Sequence, residues 1–286
     1  MAVDSNILLE ETRCLGCNSD ASEAGLLTLG LWQRLASLAD VDEIVDSFVS
    51  RSGISDATQI AAVTALVTSA RVHGWWDLCD IIYPFVGGTA GTHAQNLKSS
   101  NFTITWAGTV THDANGITGD GATGFGDTGY IPSSSGQMLL DSTHLGAYRR
   151  TEGTTSNRHY LGVLTATAGL SVSKAVGGGT AAALSNALVG GTFFATSLAF
   201  STAVRNDSAF IRFFSGGAEL AANNSVSASV PNISLFALAR NSSGVATLFS
   251  NANLAGLTAG SGITFATYQL MKTDWQTFNT ALGRAV

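Results

Sequence analysis

Three cysteines, five histidines and a small set of acids in glycine-rich surroundings are the side chains of this 286-residue sequence with chemistry in reach. Cys14 and Cys17 form a Cys-x-x-Cys pair, and Cys79 stands apart. A zinc site needs four ligands, and only Cys79 and His73 could complete one. A redox pair should open a helix after a strand, a context absent around Cys14. A disulfide between Cys14 and Cys17, or to a second subunit, is the alternative to three free thiols.

Glycoside hydrolysis needs two carboxyl groups facing each other about 5–10 Å apart. Beyond residue 88 the glutamates are Glu152 and Glu219, and neither has an acid two or four positions away. Gly153 follows Glu152, and Gly216-Gly217 lies shortly before Glu219, so both read as solvated loop charges. Asp113, Asn115, Asp120 and Asp127 are oxygen donors in one glycine-rich stretch and form a weak calcium set. Their spacing is not that of an EF-hand, and Asp and Asn also stabilise turns by bonding their own backbone. His93, His112, His144 and His159 read as packing residues. Ser261, in Gly260-Ser261-Gly262, is too short a signal for a nucleophile elbow. No phosphate-binding glycine loop occurs. For sugar binding, exposed rings would stack while Asn, Asp or Arg took the hydroxyls. Trp106, Tyr130, Tyr148, Tyr160 and Tyr268 are the ring candidates, and Trp106, Tyr148 and Arg149 are the leading set. No catalytic residue, cofactor site or firm metal site is expected.

The elements that would carry these residues fall into two regimes. Up to Gly88 apolar residues recur at helical spacing: Leu26, Leu27, Leu31, Leu35 and Leu38, then Val41, Ile44, Val45, Phe48 and Val49, then Ile60, Val63, Leu66, Val67 and Ala70. Ser55 reads as the cap of the third helix, Gly74 as its stop, and Trp75 to Tyr83 as a short further helix. Leu31, Leu35, Phe48, Trp75 and Trp76 are the candidates for docking onto another protein, since short amphipathic helices need a partner surface. After Gly88 short alternating stretches are separated by turn signals such as Asn115-Gly116, Gly177-Gly178-Gly179 and Asn223-Asn224. Strands are expected at 102–106, 144–148, 159–164, 170–174, 193–200, 209–214, 234–240 and 246–250, with a helix at 272–282. The expected fold is mainly β, a sandwich or jelly roll behind a small helical segment, divided as 1–88 and 89–286.

Composition narrows the function classes. Charged residues are only 12% and glycines number 32, which suits a tightly packed β protein. Residues 1–88 carry 12 acids against 4 bases, and residues 89–286 carry 8 against 10. Scattered bases on an acidic chain argue against nucleic-acid binding. The acidic start MAVDSNILLEE lacks the basic region and apolar stretch of a signal peptide. No window reaches the roughly 18 apolar residues of a membrane span. The expectation is a protein made in the cytoplasm without membrane insertion.

Tyr83-Pro84-Phe85-Val86-Gly87-Gly88-Thr89-Ala90, followed by His93 and Asn96-Leu97-Lys98, resembles a family of tailed-bacteriophage structural proteins. The likeness continues at His112, Asn115-Gly116, Gly119 to Thr128, Ser142 to Gly146, Tyr148 and Arg149-Arg150-Thr151. It closes with Phe278 to Arg284, and its helical lead matches at Ile54 to Gln59. The match spans roughly residues 50–286 and departs from the family at Ser99-Ser100-Asn101. The resemblance implies a concanavalin A-like, laminin-G-like sandwich in a virion, as a head-decoration, fibre, tail-fibre or baseplate component. It further implies docking to capsid or tail proteins and a symmetric homo-oligomer, a trimer foremost. A host-glycan receptor-binding module is the alternative, and a depolymerase is a third for which paired acids are missing.

Overall fold

The computed structural model describes residues 40–154, 158–174, 181–187, 191–193 and 198–286. The chain divides into two compact units, Met1–Asp42 and Glu43–Val286. The first is described only from Asp40, and the second is the β-sandwich that follows.

Its helical lead holds α1 (40–52) and α2 (Ala57–Val72). Val45 and Phe48 of α1 are buried, and Gly53, at φ 72°, ends the helix as the spacing predicts. Asp56, not Ser55, caps α2, with its side chain accepting from the Gln59 amide at 2.8 Å. Val63, Leu66, Val67 and Ala70 form the buried stripe. The expected helix from Trp75 to Tyr83 is instead a single 3-10 turn, Trp76–Leu78, followed by strand β1 (Cys79–Tyr83). Two consecutive isoleucines favour an extended backbone, and the sheet supplies a partner edge.

Among the described residues, seventeen strands build two layers that are antiparallel apart from one short pairing. The first contains β3 (Val110–Asp113), β4 (Gly116–Gly119), β6 (Thr143–Arg149), β11 (Ala199–Arg205), β12 (Phe210–Ser215), β13 (Ala218–Asn224) and β17 (Asn253–Gly260), in the order β13-β12-β11-β6-β17-β4-β3. β1 pairs with the second half of β17, where β4 leaves off. The second contains β2 (Thr105–Ala107), β5 (Phe125–Asp127), β7 (Arg158–Leu164), β8 (Gly169–Lys174), β9 (Ala181–Ala187), β10 (Gly191–Phe193) and β14 (Phe236–Ala237), in the order β10-β9-β8-β7-β14-β5-β2. A hairpin of β15 (Arg240–Ser242) and β16 (Val245–Thr247) joins it, with β15 parallel to β7. Leu145, Ala147, Leu254 and Leu257 from one layer meet Leu161, Val163, Leu170 and Val172 from the other in one core.

The mainly β sandwich of jelly-roll type therefore stands, and its boundary moves. Residues 43–88 belong to the sandwich unit, because β1 is a strand of the first sheet and its Ile81 and Tyr83 lie in the core. The β3–β4 hairpin turns through Ala114-Asn115, one residue ahead of the expected Asn115-Gly116, and Gly116, the first residue of β4, is obligatory. Its φ is 114°, and a Cβ there would run into the Leu254 carbonyl.

After the short turn of helix α3 (Ala90–His93), the last helix is α4 (Phe265–Ala281). It begins a full turn and more before the expected Lys272, because the Thr264 side chain caps it by accepting from Thr267 N. α4 lies on the outer face of the first sheet. Trp275 stacks on Phe200 at 5.9 Å and Tyr268 on the same ring at 6.3 Å. Gly256 of β17 makes room for the Trp275 ring. α2 packs on α4, tied by Asp274, whose Oδ2 takes the Trp75 indole N–H at 2.7 Å and meets His73 Nδ1 at 2.8 Å.

Candidate functional site

Helices cover the first sheet, so the outer face of the second is where strands offer side chains to solvent. Paired residues in antiparallel strands point to the same side. Across the second sheet, Trp106 pairs with Gly126, Gly126 with Ala237, and Ala237 with Leu161. Ala237 and Leu161 are core residues, so this row faces inward. The neighbouring row, Thr105, Asp127, Phe236, Gly162 and Ser171, therefore faces outward, and so does Phe125 beside Ala107.

On that face Phe125 stacks on Phe236 with centroids 4.7 Å apart and planes 28° apart, and Phe249 closes on Phe125 at 6.2 Å. Phe236 is buried underneath, while Phe125 and Phe249 remain half-buried. Asp127 is half-buried beside them, with Oδ1 accepting the Gly129 amide at 2.9 Å, and Thr105 is exposed. Toward β7 the face closes: His159 lies over Gly162, where a Cβ would sit 2.9 Å from its ring nitrogen. Burial, then Arg240 and Arg158, hold that histidine neutral, with its pKa pushed down to about 3. The open part is thus a shallow step floored by β2 and β5, with aromatic rings, one carboxylate and one hydroxyl. Such a surface can stack the C–H face of a sugar and accept its hydroxyl protons.

The sequence candidates distribute otherwise. Tyr148 is buried under α4 with its hydroxyl on Gln276 at 2.9 Å. Arg149 is buried between the sheets, over the Tyr160 ring and bonded to Glu152. Neither presents a surface for a glycan, which corrects both choices: β6 is buried along its whole length, so neither of its faces is free. Trp106 is half-buried, packs on Phe85 and His112, and donates its indole N–H to the Ala90 carbonyl at 2.9 Å. It serves the core margin. Tyr130, Tyr160 and Tyr268 are fully buried.

The proposed docking residues fare similarly. Phe48, Trp75 and Trp76 are buried within the chain's own packing, so they are not available to another protein. Leu31 and Leu35 lie outside the described residues, as do Cys14 and Cys17. Cys79 is a free, buried thiol whose pKa burial pushes up, 3.7 Å from His144 Nε2.

The calcium set is occupied by backbone. Asp113 accepts the amide of Asn115, and Asp120 accepts those of Ala122, Thr123 and Gly124. The Thr123 hydroxyl and these amides hold Asp120 below the usual carboxylate range. Among the described residues no cluster of three metal-ligating side chains occurs. Glu152 takes Arg149 and the Tyr160 hydroxyl (2.7 Å), and Glu219 pairs with Arg212 at 3.4 Å. His93 accepts the Gly88 amide on Nε2 at 3.2 Å, which places its proton on Nδ1, 3.2 Å from His112 Nδ1.

Phe125, Phe236 and Phe249 are the functional candidates that sequence reasoning missed. Their signal was the alternation Phe125-Gly126-Asp127, submerged in a stretch dense in glycine.

No family model matches this sequence, and no curated protein matches it. Among solved structures it is similar to domain 4 of AbnA, an extracellular GH43 arabinanase from Geobacillus stearothermophilus, in complex with arabinotriose. That match has 10% identity and a TM-score of 0.49, and covers 68% of this chain and 98% of the other. A Trypanosoma rangeli sialidase is similar over 76% of this chain but 39% of its own, at 16% identity and a TM-score of 0.40. The CBM40 of Ruminococcus gnavus IT-sialidase matches 44% of this chain and 79% of its own, at 10% identity and a TM-score of 0.35.

Proposed function

We propose that the chain is a non-catalytic glycan-binding module whose site is the open face of the second sheet. The observation that carries this reading is the stacked Phe125–Phe236 pair with Phe249, set beside Asp127 and Thr105 on that face. Aromatic rings held by strand register are a rigid platform that loses little entropy when a sugar ring stacks on it. The resemblance to tailed-phage structural proteins supplies a setting, in which such a module on a head fibre, decoration or tail holds the particle to a host surface. A purely structural virion role, as a homo-oligomer docked to capsid or tail proteins, is the second reading. It draws on the motif residues, since Arg284 of the C-terminal motif donates to the carbonyls of Pro84 and Phe85 in the first motif, at 2.7 and 2.8 Å.

The full chain, probed on an array of bacterial surface glycans, is expected to bind a defined subset. Phe125→Ala should weaken that binding about fivefold, given about 1 kcal/mol for an aromatic contact. A full chain that binds no glycan yet joins assembled phage particles would sink the glycan reading and favour the structural one.

A further inference from the structure

On the other sheet a groove of about 740 Å³ runs beside α4, between that helix, the start of β11 and the β12–β13 turn. Its volume is that of a small-molecule site. The small residues Ala199, Gly216 and Ala281 leave the space, and Leu198 and Val286 wall it.

The polar lining is ordered along the helix. Lys272 stands beside the turn, where a Cβ on Gly217 would lie 3.3 Å from its Nζ. Among the described residues no carboxylate comes within ion-pair distance of Lys272. Thr273, Thr277 and Thr280 recur on the exposed helix face. Thr273 and Thr280 donate their hydroxyl protons to the carbonyls of Gln269 and Gln276, at 3.0 and 2.8 Å, so their oxygens remain as acceptors. Gln276 is a fixed wall: its Oε1 takes the Tyr148 hydroxyl, and its Nε2 donates to the Val286 carbonyl at 3.2 Å. The negative end of the helix dipole lies at Thr280 and disfavours an anion there. Lys272 is left as the anchor for negative charge.

We infer that this groove is a second binding site, for a sugar that carries an anionic group. The anion sits on Lys272, and the sugar hydroxyls donate to the threonine oxygens toward the C-terminal end of α4. The site is separate from the aromatic face of the second sheet and does not depend on it. A carboxylate and a phosphate would satisfy Lys272 alike, so the probes must tell them apart.

The test is titration of the full chain with glucuronic acid, glucose 6-phosphate and glucose, followed by amide chemical shifts. At least one anionic sugar should bind about tenfold more tightly than glucose, with shifts confined to α4 and the β12–β13 turn. The stronger of the two identifies the group recognised. Lys272→Gln should abolish the preference, Lys272→Arg should retain it, and Thr277→Val should weaken all binding. Val226→Ala, at an exposed position outside both sites, should change nothing. If none of the three sugars binds, or if Lys272→Gln keeps the preference at an unchanged melting temperature, the inference is overturned.

Discussion

Arg284 is the residue on which the closure of the chain depends. It is 2% exposed and donates to the carbonyls of Pro84, Phe85, Ala114 and Ala255 and to Asn279 Oδ1. Among the described residues no carboxylate forms an ion pair with it, and burial lowers its pKa to about 10. Arg284→Ala would leave several buried carbonyls without donors, a loss of about 3 kcal/mol or more. A thermal or urea melt of the variant should reveal it. The histidines set the acid limit. Burial pushes His93, His144 and His159 down to about 3, 4 and 3. Between those values and the unfolded value of about 6.5, the unfolded chain binds more protons than the folded one, so stability falls as pH falls through that window. Urea midpoints measured between pH 7 and pH 4 should drop steadily, and His159→Gln should flatten part of the slope. The histidines were legible as packing residues because each sits among strand or turn signals. Tyr148 and Arg149 were not legible as buried, since a strand interior to a sheet and covered on both sides carries no polar face.

Elements divide by how they announce themselves. α1 and α2 could be read because their apolar residues repeat at helical spacing and Gly53 and Gly74 end them. β17 could not. Its sequence Asn-Leu-Ala-Gly-Leu-Thr-Ala-Gly is buried at every position, between β6 on one edge and β4 and β1 on the other, so it shows no alternation. β1 was missed because its partner lies more than 170 residues away. Gly256 of β17 is what allows α4 to seat. Gly256→Ala would drive a methyl group into the Trp275 ring and should destabilise the fold by about 1–3 kcal/mol. The near-ultraviolet tryptophan signal should change with it, whereas an exposed substitution such as Thr273→Ala should leave both stability and spectrum unaltered.

At the scale of the whole molecule, the division of labour between the two faces is the main consequence of the topology. One sheet is roofed by α4, on which α2 packs in turn, and the other keeps an open aromatic step. The composition foretold the sandwich through its turns and scarce charges, while the boundary at residue 88 was misplaced because a change from helical to alternating pattern does not mark where a core ends. A fragment beginning at residue 89 lacks β1, α1 and α2, together with Ile81 and Tyr83 of the core. It should fail to give dispersed amide spectra, while residues 43–286 should fold.

In the proposed function, Phe125, Phe249 and Asp127 form the surface that touches sugar. The most direct measurement is an amide chemical-shift map of the full chain with a glycan that it binds. Perturbations are expected at 105–107, 125–129 and 247–250, and Phe125→Ala should diminish them at the same glycan concentration. Glycan-induced shifts that spare these residues altogether, or that survive the substitution undiminished, would contradict this reading.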